Sequence, residues 1–221
     1  MRHLPNFITC LNLLTGAIGC FLLARGDISS PLYLILLAAL FDLLDGLVAR
    51  QLGVSSAIGK ELDSLADMVS FGLFPSYYMT MLIAKHSEGY IFLAGLLIAI
   101  FSALRLAKFN TDDQQTDKFI GLPTPANAIM IATLIFLPAS FINFYSLLGI
   151  TTASCFLLVA PIELLAFKFK NFHWKENSLR YLLLILIVVL LILFQWKALP
   201  LIIPCYILFS IFGNFLTRSS V

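Results

Sequence analysis

The feature that most limits what this chain can fold into is the length of its uncharged runs. From Tyr181 to Trp196 the sequence reads YLLLILIVVLLILFQW, and comparable runs recur along the whole chain. Stretches of about 18 apolar residues mark a membrane span rather than a soluble core helix. The chain is 60% hydrophobic and 12% charged, where soluble domains carry roughly 25% charge. The expectation is an all-α, polytopic transmembrane bundle forming one integral membrane domain. About eight spans are expected, near 7–25, 31–49, 60–84, 90–109, 122–140, 145–166, 179–196 and 198–216. Each is long enough to cross roughly 30 Å of hydrocarbon. The last two are joined by a very short link around Lys197.

A formal charge of +2 is too small to indicate nucleic acid as a partner, so the basic residues are read for topology. With the N-terminus in the cytoplasm, eleven fall inside: Arg2, Arg50, Lys60, Arg105, Lys108, Lys118, Lys168, Lys170, Lys175, Arg180 and Arg218. Only three, Arg25, Lys85 and Lys197, fall outside. Both termini are therefore expected in the cytoplasm of a cell-membrane protein. Cys10, Cys20, Cys155 and Cys205 show no paired or metal-binding spacing and read as packing residues. His3, His86 and His173 likewise have no partner spacing and read as interfacial.

Against this apolar background the segment Phe41 to Gly72, FDLLDGLVARQLGVSSAIGKELDSLADMVSFG, is the exception. Asp42 and Asp45 are three apart on one helix, and Asp63 and Asp67 four apart on the next, so each pair projects from one helical face. A carboxylate at the centre of a membrane costs roughly 2.5–3.5 kcal/mol. Arg50 and Lys60 do not compensate four of them. Divalent cations do, and hard ions such as Mg²⁺ or Mn²⁺ favour clustered carboxylate oxygens. Four aspartates can hold two ions about 4 Å apart. With Arg50 at the interface, Asp45 and Asp42 lie about 7 and 12 Å deeper along the helix. The site is a cavity just below the cytoplasmic surface. Gly46 and Gly59 leave backbone open for a ligand or serve helix packing through small residues.

Asp42, Asp45, Gly46, Ala49, Arg50, Gly59, Asp63 and Asp67 together form DxxDGxxAR followed by GxxxDxxxD. This pattern resembles the signature of the CDP-alcohol phosphotransferases. The resemblance implies a six-helix core, here about 5–166, working as a homodimer, with two additional C-terminal spans at about 179–216. It implies displacement of CMP from a CDP-linked lipid with two divalent ions. Asp42, Asp45 and Asp63 would bind one ion, and Asp42, Asp63 and Asp67 the other, with Asp67 as general base. Gly46, Ala49, Arg50, Ser56 and Gly59 would lie at the nucleotide end of CDP-diacylglycerol. Asn6 and Thr9, in the opening Pro5-Asn6-Phe7-Ile8-Thr9, resemble the family's cytidine-contacting segment, or else cap the first helix.

The runs Gly59 to Ser76, Ser102 to Asn110 (SALRLAKFN) and Gly121 to Ala128 (GLPTPANA) resemble the membrane-bound phosphatidylserine synthases of bacteria and archaea. That narrower resemblance implies L-serine as acceptor and phosphatidylserine as product. Arg105 and Lys108, three apart on one face, can grip a phosphate or a carboxylate or snorkel to the interface. Asn110 and Thr124 join them as candidates for the lipid phosphate or serine. A same-family enzyme acting on glycerol 3-phosphate or inositol phosphate is the nearer alternative. An ion-coupled transporter is the distant one, because the carboxylates lie toward one face and no second acidic pair suggests an inverted repeat.

Overall fold

A computed structural model of the chain describes residues 3–54, 56–111, 119–165 and 173–218, with side chains omitted at 119, 174–176 and 214–218. The described chain is mostly helical: α1 (Leu4–Ala24), α2 (Pro31–Leu52), α3 (Ala57–Asp67), α4 (Phe74–Ala84), α5 (Leu97–Thr111), α6 (Thr124–Ala132), α7 (Phe144–Val159), α8 (Trp174–Phe194) and α9 (Leu199–Arg218). The strands among the described residues form a two-residue antiparallel ladder, pairing Phe119–Ile120 with Glu163–Leu164.

Four stretches are long and apolar enough to cross a membrane: Leu4–Ala24, Pro31–Leu52, Ile91–Thr111 and Asn177–Gly213. This is an integral membrane protein. The last stretch holds both α8 and α9, which a 3₁₀ turn at Gln195–Ala198 joins. The other expected spans fall on shorter or interrupted helices. Thr124–Phe136 and Phe144–Val159 are apolar but short; α7 stops at Val159, ahead of Pro161. Of the basic residues behind the expected orientation, Arg2, Lys118, Lys168 and Lys170 lie outside the described residues.

The interruption between α3 and α4 has a chemical cause. Met68–Leu73 is π-helical, and the Phe74 amide bonds the Val69 carbonyl five residues back. Pro75 follows, and with no N–H it cannot serve the carbonyl four residues before it. A π segment of this kind rotates the helix past its regular register. Asp63 and Asp67 sit just before that rotation, and the buried face of α4 just after it.

The core runs through α4, whose Phe74, Tyr78, Met79 and Ile83 are buried with Phe71, Ile35 of α2, Ile98 of α5, Ile131 of α6 and Leu147 of α7. Close approach of α1 makes this possible. A Cβ at Gly16 would lie 2.4 Å from Ser70 Oγ, and one at Gly19 would lie 2.3 Å from the Phe74 ring. Only glycine permits α1 to lie this near the π segment and α4. The α8–α9 hairpin is attached more lightly. Ile207 packs with Leu122 and Leu164 in a small separate cluster, and Trp196 stacks on Phe136 with centroids 6.5 Å apart.

Candidate active site

Three helices build the acidic site. On α2, Asp42 and Asp45 sit in the last turns before Gly53, whose φ of 60° ends the helix in the left-handed conformation. On α3, Ser56 caps the N-terminus, its hydroxyl accepting from the Gly59 amide at 3.0 Å. The chain between these two ends is short, so the acidic faces of α2 and α3 converge. Oxygens of Asp42, Asp63 and Asp67 lie within 4.8 Å of one another. That spacing, with half-buried carboxylates as the only ligand type, suits one hard divalent cation.

Asp45 stands apart from this trio. It is buried, with 6% of its surface exposed, and its Oδ2 accepts a 2.7 Å hydrogen bond from the Thr9 hydroxyl. Thr9 bonds the Pro5 carbonyl as well, at 3.0 Å. It therefore links α1 to α2 and does not cap α1, whose N-cap is His3.

Asn12 is the site residue that sequence reasoning missed. It is fully buried, and its Nδ2 donates to Asp67 Oδ1 at 3.3 Å. Its backbone carbonyl accepts from Ser70 Oγ at 2.8 Å, inside the π segment. One signal could have found it. Pro5, Thr9, Asn12, Gly16 and Gly19 repeat at alternating spacings of four and three, which is one stripe of a helix, and all five are buried. An amide on that stripe in a membrane helix needs a polar partner. The described donors to the four carboxylates, Thr9 and Asn12, are both neutral. They fix the rotamers and add no positive charge of their own, which leaves the carboxylates able to take up a divalent cation.

The other candidates divide. Gly46 has nothing within 4 Å of where a Cβ would stand, so helix packing does not explain it and the space beside Asp45 is open. Arg50 is exposed and its Nε donates to the Gly46 carbonyl at 3.0 Å. This folds its guanidinium back along the helix toward the acidic end. Ala49 is half-buried one residue before it. Gly59 is hemmed in: a Cβ there would come 3.2 Å from Asn6 Oδ1 and 3.0 Å from Ser56 Oγ. Asn6 is thereby placed against the start of α3.

Asn110 has a structural engagement. Its side-chain amide donates to Ser64 Oγ at 2.8 Å, and its carbonyl accepts from Lys60 Nζ at 3.2 Å. It ties α5 to α3 at Lys60 and Ser64, on either side of Asp63. Arg105 and Lys108 line a small cleft with Phe109, Ile120, Leu158 and Val159. The Arg105 guanidinium lies 5.9 Å from the centre of the Phe109 ring and is near enough to Asp67 for their charges to attract. Thr124 is fully buried at the start of α6, and its hydroxyl has no partner.

With this geometry in hand, comparison with known proteins is decisive. The model of the CDP-alcohol phosphatidyltransferase family matches residues 2–162. The chain belongs to that family. It is similar to the CDP-diacylglycerol–serine O-phosphatidyltransferase of Helicobacter pylori strain J99, 31% identical over 215 residues, covering 94% of this chain and 89% of the relative. The protein of the same description from Bacillus subtilis is 34% identical over 179 residues, covering 80% and 96%. The archaetidylserine synthase of Methanothermobacter thermautotrophicus is 36% identical over 163 residues, covering 72% and 68%. As a CDP-alcohol phosphatidyltransferase the chain is a membrane-bound enzyme, and the matched region holds α1 to α7 with every residue of the acidic site.

Proposed function

We propose that this enzyme transfers the phosphatidyl group of CDP-diacylglycerol to the hydroxyl of L-serine, giving phosphatidylserine and CMP. The observation that carries the reading is the convergence of Asp42, Asp63 and Asp67 within 4.8 Å beside the open space at Gly46. The names of its relatives support serine as the acceptor.

Asp42, Asp63 and Asp67 hold divalent metal, Mg²⁺ or Mn²⁺, with Asp45 completing a second position. Such ions neutralise the charge of the diphosphate and of the departing CMP. The protein's own groups do the rest. Asp67, oriented by Asn12, accepts the proton of the serine hydroxyl as its oxygen bonds to the lipid-side phosphorus. The bond from that phosphorus to the CMP oxygen breaks. Arg50, Ala49, Gly46, Ser56 and Gly59 receive the nucleotide and its diphosphate, with Asn6 and Thr9 behind them on α1. Arg105 supplies positive charge on the acceptor side. The enzyme works as a homodimer in the cell membrane with both termini and the acidic site at the cytoplasmic face. The positive-inside bias and the family resemblance support this arrangement.

The deciding experiment is CMP release by the purified protein in detergent with CDP-diacylglycerol, Mg²⁺ or Mn²⁺, and a panel of acceptors. L-Serine is expected to release CMP, and glycerol 3-phosphate and inositol phosphate are not. Release with glycerol 3-phosphate alone would assign a different acceptor to the same chemistry. Release that requires an ion gradient across a vesicle would refute the enzymatic reading.

A further inference from the structure

A second group of buried polar side chains, on α5, α6 and α7, lies around and below the cleft at Arg105. Among the described buried hydroxyl residues, Thr9, Thr15, Ser70, Ser76, Thr80, Thr133, Thr151 and Ser210 all donate hydrogen bonds. Most of these bonds run to a carbonyl of the residue's own helix, the partner always within reach of a helical Ser or Thr. Ser102, Thr124 and Ser154 are as deeply buried and make no bond. Asn127 is fully buried too, and neither its Oδ1 nor its Nδ2 has a partner. The Nε of Arg105 joins them; the other two such atoms among the described residues, Asn12 Oδ1 and Ser30 Oγ, lie elsewhere, so most of the set falls on α5, α6 and α7. Native interiors leave few such atoms unpaired, and a cluster of them calls for a ligand or ordered water.

The fold brings the helices that carry these atoms together around the cleft. The Leu122 amide donates to the Leu157 carbonyl at 2.8 Å, and Gly121 to Ile162 at 2.9 Å. The start of α6 is thereby fixed against the end of α7. Leu158 and Arg105 line the same cleft. Ser154 lies about one turn before Leu158, Ser102 about one turn before Arg105, and Asn127 about one turn after Thr124. Ser102 also faces the π segment: a Cβ on Gly72 would come 3.2 Å from the Ser102 Cβ. Asp67 stands just ahead of that segment.

We propose that Ser102, Thr124, Asn127 and Ser154, with Arg105, form the pocket for the α-amino-acid end of the acceptor. The proposal rests on the serine reading above. Arg105 has donors only and takes a carboxylate. An ammonium group has three donors and no acceptor, and Asn127 Oδ1 with the Thr124 and Ser154 hydroxyls provides neutral oxygens for it. The amino acid is then anchored at its zwitterionic end, and its hydroxyl is free to face Asp67. A phosphorylated polyol brings no ammonium group to make charge-assisted bonds with these oxygens, so the site favours the amino acid.

The test measures KM for L-serine and for CDP-diacylglycerol separately, in the full-length detergent-purified enzyme and in Asn127→Leu and Ser154→Ala. Asn127→Leu is expected to raise the serine KM roughly ten- to hundredfold, and Ser154→Ala roughly three- to tenfold, from the loss of bonds to a charged group. KM for CDP-diacylglycerol should stay within about twofold, because uniform binding of one substrate alone is removed. L-Serine should raise the thermal midpoint of the wild type and not of Asn127→Leu. Serine KM values unchanged in both variants, or rising in step with those for CDP-diacylglycerol, would overturn the pocket. Ser154→Ala removes one oxygen and keeps the proposal testable if Asn127→Leu does not fold. A wild type that releases CMP with glycerol 3-phosphate and not with serine would instead overturn the acceptor reading beneath it.

Discussion

The acidic site between α1, α2 and α3 and the neutral layer between α5, α6 and α7 are both polar interiors of one apolar bundle, built on opposite terms. In the first, the carboxylates are concentrated and braced by neutral donors. Thr9 holds Asp45 and Asn12 holds Asp67. In the second, charge is sparse and the polar atoms have no partners among the described residues. A bivalent cation is a permanent occupant, and its ligands must be held ready for it. A substrate comes and goes, and its site must keep hydrogen-bonding capacity unspent between turnovers. On the proposed reading, braced carboxylates suit a resident cation and vacant polar atoms suit an acceptor, with Asn12 Oδ1 the one unpartnered buried side-chain atom described at the acidic site.

This contrast breaks most sharply on the metal side. Chelation of divalent cations with EDTA is expected to abolish CMP release, and Mg²⁺ or Mn²⁺ to restore it; full activity in the chelated enzyme would remove the basis of the acidic site. Asp67→Asn keeps the side-chain shape and deletes the base, so turnover should fall by about 10²–10⁴-fold, read as CMP release from protein that remains monodisperse. Asn12→Ala tests the brace. Turnover is expected to drop roughly tenfold with serine KM unchanged, since one hydrogen bond to a charged group is worth about 1.5–3 kcal/mol before rearrangement. A rise in serine KM instead would move Asn12 into the acceptor pocket and blur the contrast.

Packing offers a gentler probe. Gly16→Val drives two methyl groups into Ser70, and overpacking of this kind costs about 1–3 kcal/mol, seen as a lower thermal midpoint together with lost activity. Asp45 and Asp67 should both feel this shift, because each is held by a residue of α1. The smallest effect is expected at Lys108, which is exposed at the mouth of the cleft. Lys108→Ala should change serine KM by less than about threefold, in line with the low worth of solvent-exposed charges.

The acidic site was legible because its information is local. Asp42 and Asp45 lie within one turn of α2, Asp63 and Asp67 within one turn of α3, and helical periodicity alone faces each pair one way. The membrane character was legible for the same reason, since hydropathy is a property of contiguous residues. Asn127 and Ser154 were not legible. A single Asn or Ser in an apolar helix reads as a packing residue until its neighbours are known. The link of Asn110 to Ser64 and Lys60 of α3 was not legible either, because it joins residues far apart in the chain.

The four aspartates, their spacing and the glycine at Gly46 were determined by the sequence itself, because a helix of fixed pitch converts spacing into direction. Which three carboxylates meet was decided by tertiary structure. Gly16 and Gly19 admit α1 to the π segment, Thr9 then draws Asp45 aside, and Asn12 turns Asp67 toward Asp42 and Asp63. Those contacts join residues tens of positions apart, and chain spacing carries no record of them.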